Sequence, residues 1–334
     1  MIVLNFYGKI PRICISEKLG LFLSNLPDDE DNNWREELAE EVELAVKADG
    51  IYQKKIGTSY PCEIAKLYHR IFPNKDIPIS FEKRHFYEIA EQMICLSFEY
   101  KYEDMPLGGY ETNCFDGRSC EEDCAEKIID LINFLAYDNS FPEPIPQWIY
   151  SSNHDEIDHY RIFWGGEEAT PYIESFKKWG ELFDKFLQDR NDYLMFDYIL
   201  NALHKDNEYN EYHLLKSYSL CQLFLEKEHE SELDKKLPQF IDDRMNATER
   251  AECAALLRRM RNKIAHGDFI AFEDVVEEFA VKFMDGHFWY DYSEYSRKNW
   301  VIGYVCCLVD NVLRQLIWLM FYDRASLEQI KSTK

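Results

Sequence analysis

The second half of this chain repeats apolar residues at helical spacing in block after block: roughly Glu174 to Leu187, Leu194 to Leu203, His213 to Glu226, Ala247 to Ala265, Phe272 to Phe283 and Arg297 to Phe321. Apolar residues three and four apart share one face of a helix, and a set of such helices buries those faces by packing them together. A helical bundle over residues 151–334 is therefore expected. The most apolar stretch, Val301 to Phe321, is interrupted by Asp310, Asn311, Arg314 and Gln315. A span facing lipid tolerates such residues poorly, so the stretch reads as a buried bundle helix and no membrane partner is expected.

The first half has a different grammar. Ile2 to Tyr7 and Ile13 to Ile15 are short β-prone runs, and Trp34 to Ala48 is a charged helical pattern. Leu96, Phe98, Tyr100 and Tyr102 alternate with Ser97, Glu99, Lys101 and Glu103, the period of a half-buried strand, and Pro106-Leu-Gly-Gly109 supplies a turn after it. A helix follows over Glu121 to Leu135, with Ile128, Ile129, Leu131, Ile132 and Leu135 inward. Three prolines between Phe141 and Pro146, then the polar stretch Ser151 to His159, place a domain boundary between 141 and 170. The predicted fold class is mainly α: a smaller mixed α+β domain over 1–150, then a helical domain over 151–334. A chain of 334 residues has room for both.

Charge narrows the functional classes. With 62 acidic against 38 basic residues the net charge is -24, so the surface as a whole repels phosphate backbones and any contact with RNA must be local. The first residues lack the basic start, apolar core and cleavage site of a secretory signal, which predicts a cytoplasmic location, where ten cysteines are reduced thiols. No Gly-rich phosphate loop, nucleophile elbow or dinucleotide fingerprint is present. Cys114, Cys120 and Cys124 are irregularly spaced and short of a fourth ligand, and His154-Asp-Glu-Ile-Asp-His159 lies in the expected linker. Both read as ordinary loop or core residues, so no metal and no cofactor is expected.

One segment carries chemistry. Asn246 with Glu249 three residues on makes a capping box, Gly267 supplies a stop, and between them Cys253, Ala254, Leu257, Met260 and Ile264 form a buried stripe. Arg258, Arg259, Asn262 and His266 fall largely outside it. Asn262 and His266, four residues apart, are neighbours, whereas Arg261 lies about 140° around the helix from His266. Arg261 therefore reaches round, or works with a second copy of the segment across a symmetric dimer. Between Arg244 and His266, the six cations Arg244, Arg250, Arg258, Arg259, Arg261 and Lys263 oppose only Glu249 and Glu252, a local balance of +4. His266 in the last turn can give or take a proton near neutral pH. RNA brings its own nucleophile, so an enzyme that cuts it needs only to move protons and to stabilise charge on phosphoryl oxygens.

The string Leu-Leu-Arg-Arg-Met-Arg-Asn-Lys-Ile-Ala-His-Gly resembles the Arg-x4-6-His motif of HEPN ribonucleases, including the polar residue after Arg and the trailing Gly. The upstream stretch His213 to Glu226 is similar to the same family, so the likeness spans about Glu174 to Phe321 and leaves the first half outside it. The resemblance implies a helical bundle that dimerises and cuts RNA without metal at a composite cleft, often in antiviral defence or toxin systems. It implies Arg261 and His266 as catalytic residues, Asn262 as a residue that orients His266 or the phosphate, and Arg258, Arg259 and Lys263 as substrate contacts. A HEPN-like module kept for dimerisation or for ligand or RNA binding is the alternative. A toxic activity needs restraint, which makes residues 1–150 a candidate regulatory element or receiver of a partner.

Overall fold

The computed structural model describes residues 2–26, 34–56, 63–98, 120–136, 146–150, 162–204, 208–227, 233–242, 244–284 and 294–333. Pro106 to Gly109, His154 to His159 and Cys114 lie outside the described residues, as do the side chain of Cys120 and positions 99–102 of the expected alternating strand. The chain forms two compact units, Met1–Leu200 and Asn201–Lys334.

The first unit holds a five-stranded sheet made of β1 (Ile2–Tyr7), β2 (Ile13–Ser16), β3 (Leu21–Asn25), β4 (Met93–Phe98) and β5 (Glu167–Glu168), in the order β2-β3-β4-β1-β5. All pairings are antiparallel except β1 with β5, which is parallel. Met93, Ile94, Cys95 and Leu96 are all buried. Successive strand residues face opposite sides, so β4 is covered on both faces from Met93 to Leu96; of the expected alternation the described side chains are Leu96, buried, and Ser97, partly exposed, and the remainder lies outside the described residues. The faces differ in what covers them. Tyr7 and Met93 join Leu38, Val42, Leu67, Phe86 and Ile89 from α1 (Trp34–Ile56), α2 (Glu63–Ile71) and α3 (Lys83–Ala90). Phe6 turns the other way and meets Trp148 and Phe176 edge to face at 6.0 and 5.5 Å.

The helix α4 (Cys120–Ala136) buries Ile128, Ile129, Leu131, Ile132 and Leu135, the five residues its periodicity pointed inward. The next helix, α5 (Ile173–Phe186), lies along β2 and belongs to the same unit. Asp184 on α5 accepts the Ser16 hydroxyl at 2.5 Å and the Glu17 amide at 2.8 Å. The unit thus runs past the proline-rich stretch, and its limit at Leu200 falls inside α6 (Arg190–Leu203). Composition marks where a chain is hard to keep helical, whereas a compact unit ends where contacts do, and β5 and α5 return to the sheet after the prolines.

The second unit is helical. α7 (Glu211–Leu225), α8 (Ala247–Ala265), α9 (Phe269–Phe283) and α10 (Glu294–Tyr322) pack in a closed circuit, α7 on α8, α8 on α9, α9 on α10 and α10 on α7, with α11 (Arg324–Ser332) against α7 and α10. Residues Lys298–Tyr322 are long and apolar enough to cross a membrane, yet 72% of the most apolar window is buried inside the structure. Asp310 and Arg314, two of its polar interruptions, are buried in protein, whereas Asn311 is exposed. The buried Asp310 carboxylate meets the His213 ring at 3.0 Å and accepts the Ser217 hydroxyl at 2.9 Å, Arg314 donates to Asn311 at 2.6 Å, and Gln315 donates to the Phe240 carbonyl at 2.9 Å.

Candidate functional site on the last turns of helix α8

Helix α8 begins and ends by side-chain and backbone chemistry that the sequence contains. Asn246 accepts the amides of Thr248 and Glu249 at 2.9 and 3.1 Å, and Glu249 accepts the Asn246 amide at 2.8 Å, satisfying donors that have no partner within the helix. At the other end Gly267 takes φ +69°, where an L side chain is strained, and the Asp268 amide returns to the Lys263 carbonyl at 2.9 Å. Cys253, Ala254, Leu257, Met260 and Ile264 are buried and fix the rotation of the helix.

That rotation sets His266 apart from the other two motif residues. Arg261 is half-buried; its guanidinium donates to Gln222 at 3.0 Å and to Asn262 at 3.2 Å, and its Nε is buried without a partner. Gln222 in turn donates to Glu226 at 3.0 Å, and Glu226 accepts the Leu233 amide at 2.7 Å. The chain of bonds from Leu233 through Glu226, Gln222 and Arg261 to Asn262 holds the guanidinium in place. It borders a cavity of about 90 Å³ lined by Tyr218, Gln222, Glu226, Leu233, Arg258, Arg261 and Asn262. The Tyr218 hydroxyl is buried there without a hydrogen-bond partner, and burial, reinforced by Asp234 and Glu226 and opposed by Arg261, pushes its pKa up.

His266 caps the helix with an exposed side chain, and among the described residues no hydrogen bond joins its ring to Arg261 or Asn262. One chain therefore presents a phosphate-sized basic cavity and an exposed imidazole as separate features.

The expected contact residues are all engaged. Arg258 pairs with Asp234 at 2.9 Å, Arg259 with Glu278 at 2.6 Å and Lys263 with Asp268 at 2.8 Å, while Arg244 pairs with Asp242. These four carboxylates offset much of the +4 of the linear segment, with Glu278 and Glu252 shared with Lys282. Among the described residues Arg250 and Arg261 are the cations of this segment without an ion pair, and each lines a cavity.

Sequence reading passed over Tyr218, Gln222 and Glu226 as site residues. Tyr218 and Gln222 on α7 and Glu226 at its C-cap stand at i, i+4 and i+8, and that spacing was the available signal. Among the described residues no group of three or more His, Cys, Asp or Glu side chains is placed to hold a metal ion. Comparison with protein-family models, with curated proteins and with solved structures returned no match.

Proposed function

We propose that this protein is a metal-independent endoribonuclease of the HEPN type, cytoplasmic, acting as a homodimer in antiviral defence or as a regulated toxin. The observation that carries the reading is Arg261: a cation without an ion pair, held by Gln222 and Asn262 at the edge of a phosphate-sized cavity, five residues before an exposed His266.

The chemistry follows from those groups. A histidine takes the proton of a ribose 2'-hydroxyl, the oxygen attacks phosphorus, and the P–O5' bond breaks to leave a 2',3'-cyclic phosphate and a 5'-hydroxyl that takes up a proton. Arg261 neutralises charge growing on the phosphoryl oxygens. Base and acid must sit on opposite sides of the phosphorus, and one chain offers one His266 at this site. A second copy related by two-fold symmetry supplies the other, with Asn262 placing the guanidinium rather than the imidazole. The exposed apolar side chains of Phe269 and Ile270, directly after the motif, are the surface such a dimer would cover. Residues 1–150 are the candidate restraint or receiver of a trigger.

A non-catalytic HEPN-like module for dimerisation or ligand binding is favoured by a different observation, the ion pairing of Arg258, Arg259 and Lys263, which leaves little free charge to grip an RNA strand.

The test is cleavage of a labelled single-stranded RNA in EDTA by the full chain, Arg261→Ala and His266→Ala. Cutting by the wild type that yields cyclic phosphate ends and falls at least about a hundredfold in both variants is expected. Cutting that both variants retain would refute the assignment, and a wild type that dimerises without binding or cutting RNA would favour the module.

A further inference from the structure

Arg261 is held differently from its neighbours on α8. Arg258, Arg259 and Lys263 each pair with a carboxylate, whereas both acceptors that hold Arg261 are neutral amide oxygens, of Gln222 at 3.0 Å and Asn262 at 3.2 Å. A carboxylate would grip the guanidinium more strongly, through charge-assisted bonds. One is close at hand. Glu226 lines the same cavity of about 90 Å³ as Arg261, yet its two oxygens are taken by neutral donors, the Gln222 side-chain amide at 3.0 Å and the Leu233 backbone amide at 2.7 Å.

Gln222 links the two charged groups and keeps them apart. Gln222 on α7 and Glu226 at its C-cap are four residues apart, so their side chains are neighbours. A carboxylate only accepts and a guanidinium only donates, so a single orientation of the Gln222 amide satisfies both, with its NH2 on Glu226 and its carbonyl on Arg261. Glu226 thereby sets the amide and the amide sets the guanidinium, with an uncharged group at the point of contact.

We propose that Gln222 is a positioning residue that fixes Arg261 while keeping the Glu226 carboxylate off it, so that the guanidinium meets a phosphoryl group with its positive charge intact. The inference rests on the ribonuclease reading of Arg261 as the group that contacts RNA phosphate. Its physical basis is competition. A carboxylate bonded to Arg261 would have to share that charge with the phosphate or be displaced by it, whereas an amide oxygen holds the donor in place beforehand and carries no net charge to oppose the phosphate.

The test moves the charge and leaves the hydrogen bonds. In the double variant Gln222→Glu with Glu226→Gln, Arg261 donates to a carboxylate at position 222, and the amide at position 226 donates to that carboxylate and accepts from Leu233. The net charge of the chain is unchanged. RNA cleavage by the full-length swap is expected to show kcat/KM about tenfold or more below the wild type, with the thermal midpoint no lower. A swap that cuts as well as the wild type would overturn the proposal and leave the ribonuclease reading standing. If the wild type does not cut, that reading fails, and fluorescence anisotropy with an uncleavable 2'-O-methyl RNA decides instead. The swap should then lose as much affinity as Arg261→Ala, whereas binding that the swap retains, or that does not depend on Arg261, would refute the role of Gln222. Should the swap fail to fold, Gln222→Glu is compared with Gln222→Met in the same assays. The carboxylate variant is expected to be the weaker of the two, and the reverse order would count decisively against the proposal.

Discussion

Single residues in the helical unit show how burial rewrites ordinary side-chain chemistry. Burial holds the Lys216 ammonium down to about 8, against the pull of the Asp310 carboxylate. The folded chain therefore favours neutral Lys216 and binds fewer protons there than the unfolded chain does between pH 8 and the usual lysine value of 10.5. For such a group stability rises with pH through that window, and below pH 8 the full cost of keeping the charge is carried. Lys216→Met is accordingly expected to raise stability at pH 7 by about 1 kcal/mol, a figure discounted for the side chain's partial exposure. The gain should fade as the pH approaches 10.5. Thermal unfolding of both proteins across that range checks this, and a variant less stable at pH 7 would contradict it. The thiols of Cys95 and Cys253 are pushed up to about 12 by burial, which accords with their reading as core residues. The candidate site was legible at this scale only in part. Arg261, Asn262 and His266 stand out as a linear motif, but the partners that hold Arg261, Gln222 above all, come from another helix and become visible only by contact.

Helices and strands were read best where period and punctuation agreed. Ala247 to Ala265 was bounded to the residue because a capping box opens it and a left-handed glycine closes it, both local devices. β1 was bounded equally well. β3, α2, α3 and α11 were missed: they are short, and their amphipathic signal spans too few turns to rise above the background. The docking of α5 on β2 turns on a single residue. A Cβ built at Gly180 would sit 2.5 Å from the Cys14 carbonyl oxygen, closer than real contacts allow, so the absent side chain is what lets helix and strand meet. Gly180→Ala should push α5 off the strand, weaken the Asp184 bonds to Ser16 and Glu17, and cost about 2 kcal/mol. Chemical denaturation measures this directly, and an unchanged midpoint would show that the helix can shift at no cost.

At the scale of the whole molecule the ribonuclease reading makes a demand that one chain cannot meet, since Arg261 and His266 do not touch within it. If a second copy completes the site, Ile270, 83% exposed beside the motif, belongs in the interface. Ile270→Glu is then expected to yield monomers in analytical ultracentrifugation and to abolish RNA cleavage, with the helical circular dichroism spectrum unchanged. A variant that sediments and cuts like the wild type would exclude this face as the interface. The sequence by itself determined the helical second half, the sheet-forming start, the limits of α8 and the three residues of the motif, because periodicity, caps and turns act over a few residues and are written in order along the chain. Tertiary structure decided the charge around Arg258 and Arg259. The six cations between Arg244 and His266 look like an electropositive stretch until Asp234 and Glu278 arrive from elsewhere in the fold to pair with two of them. Electrostatic potential sums over neighbours in space, and the neighbours that cancel Arg258 and Arg259 lie 24 and 19 residues away in the chain.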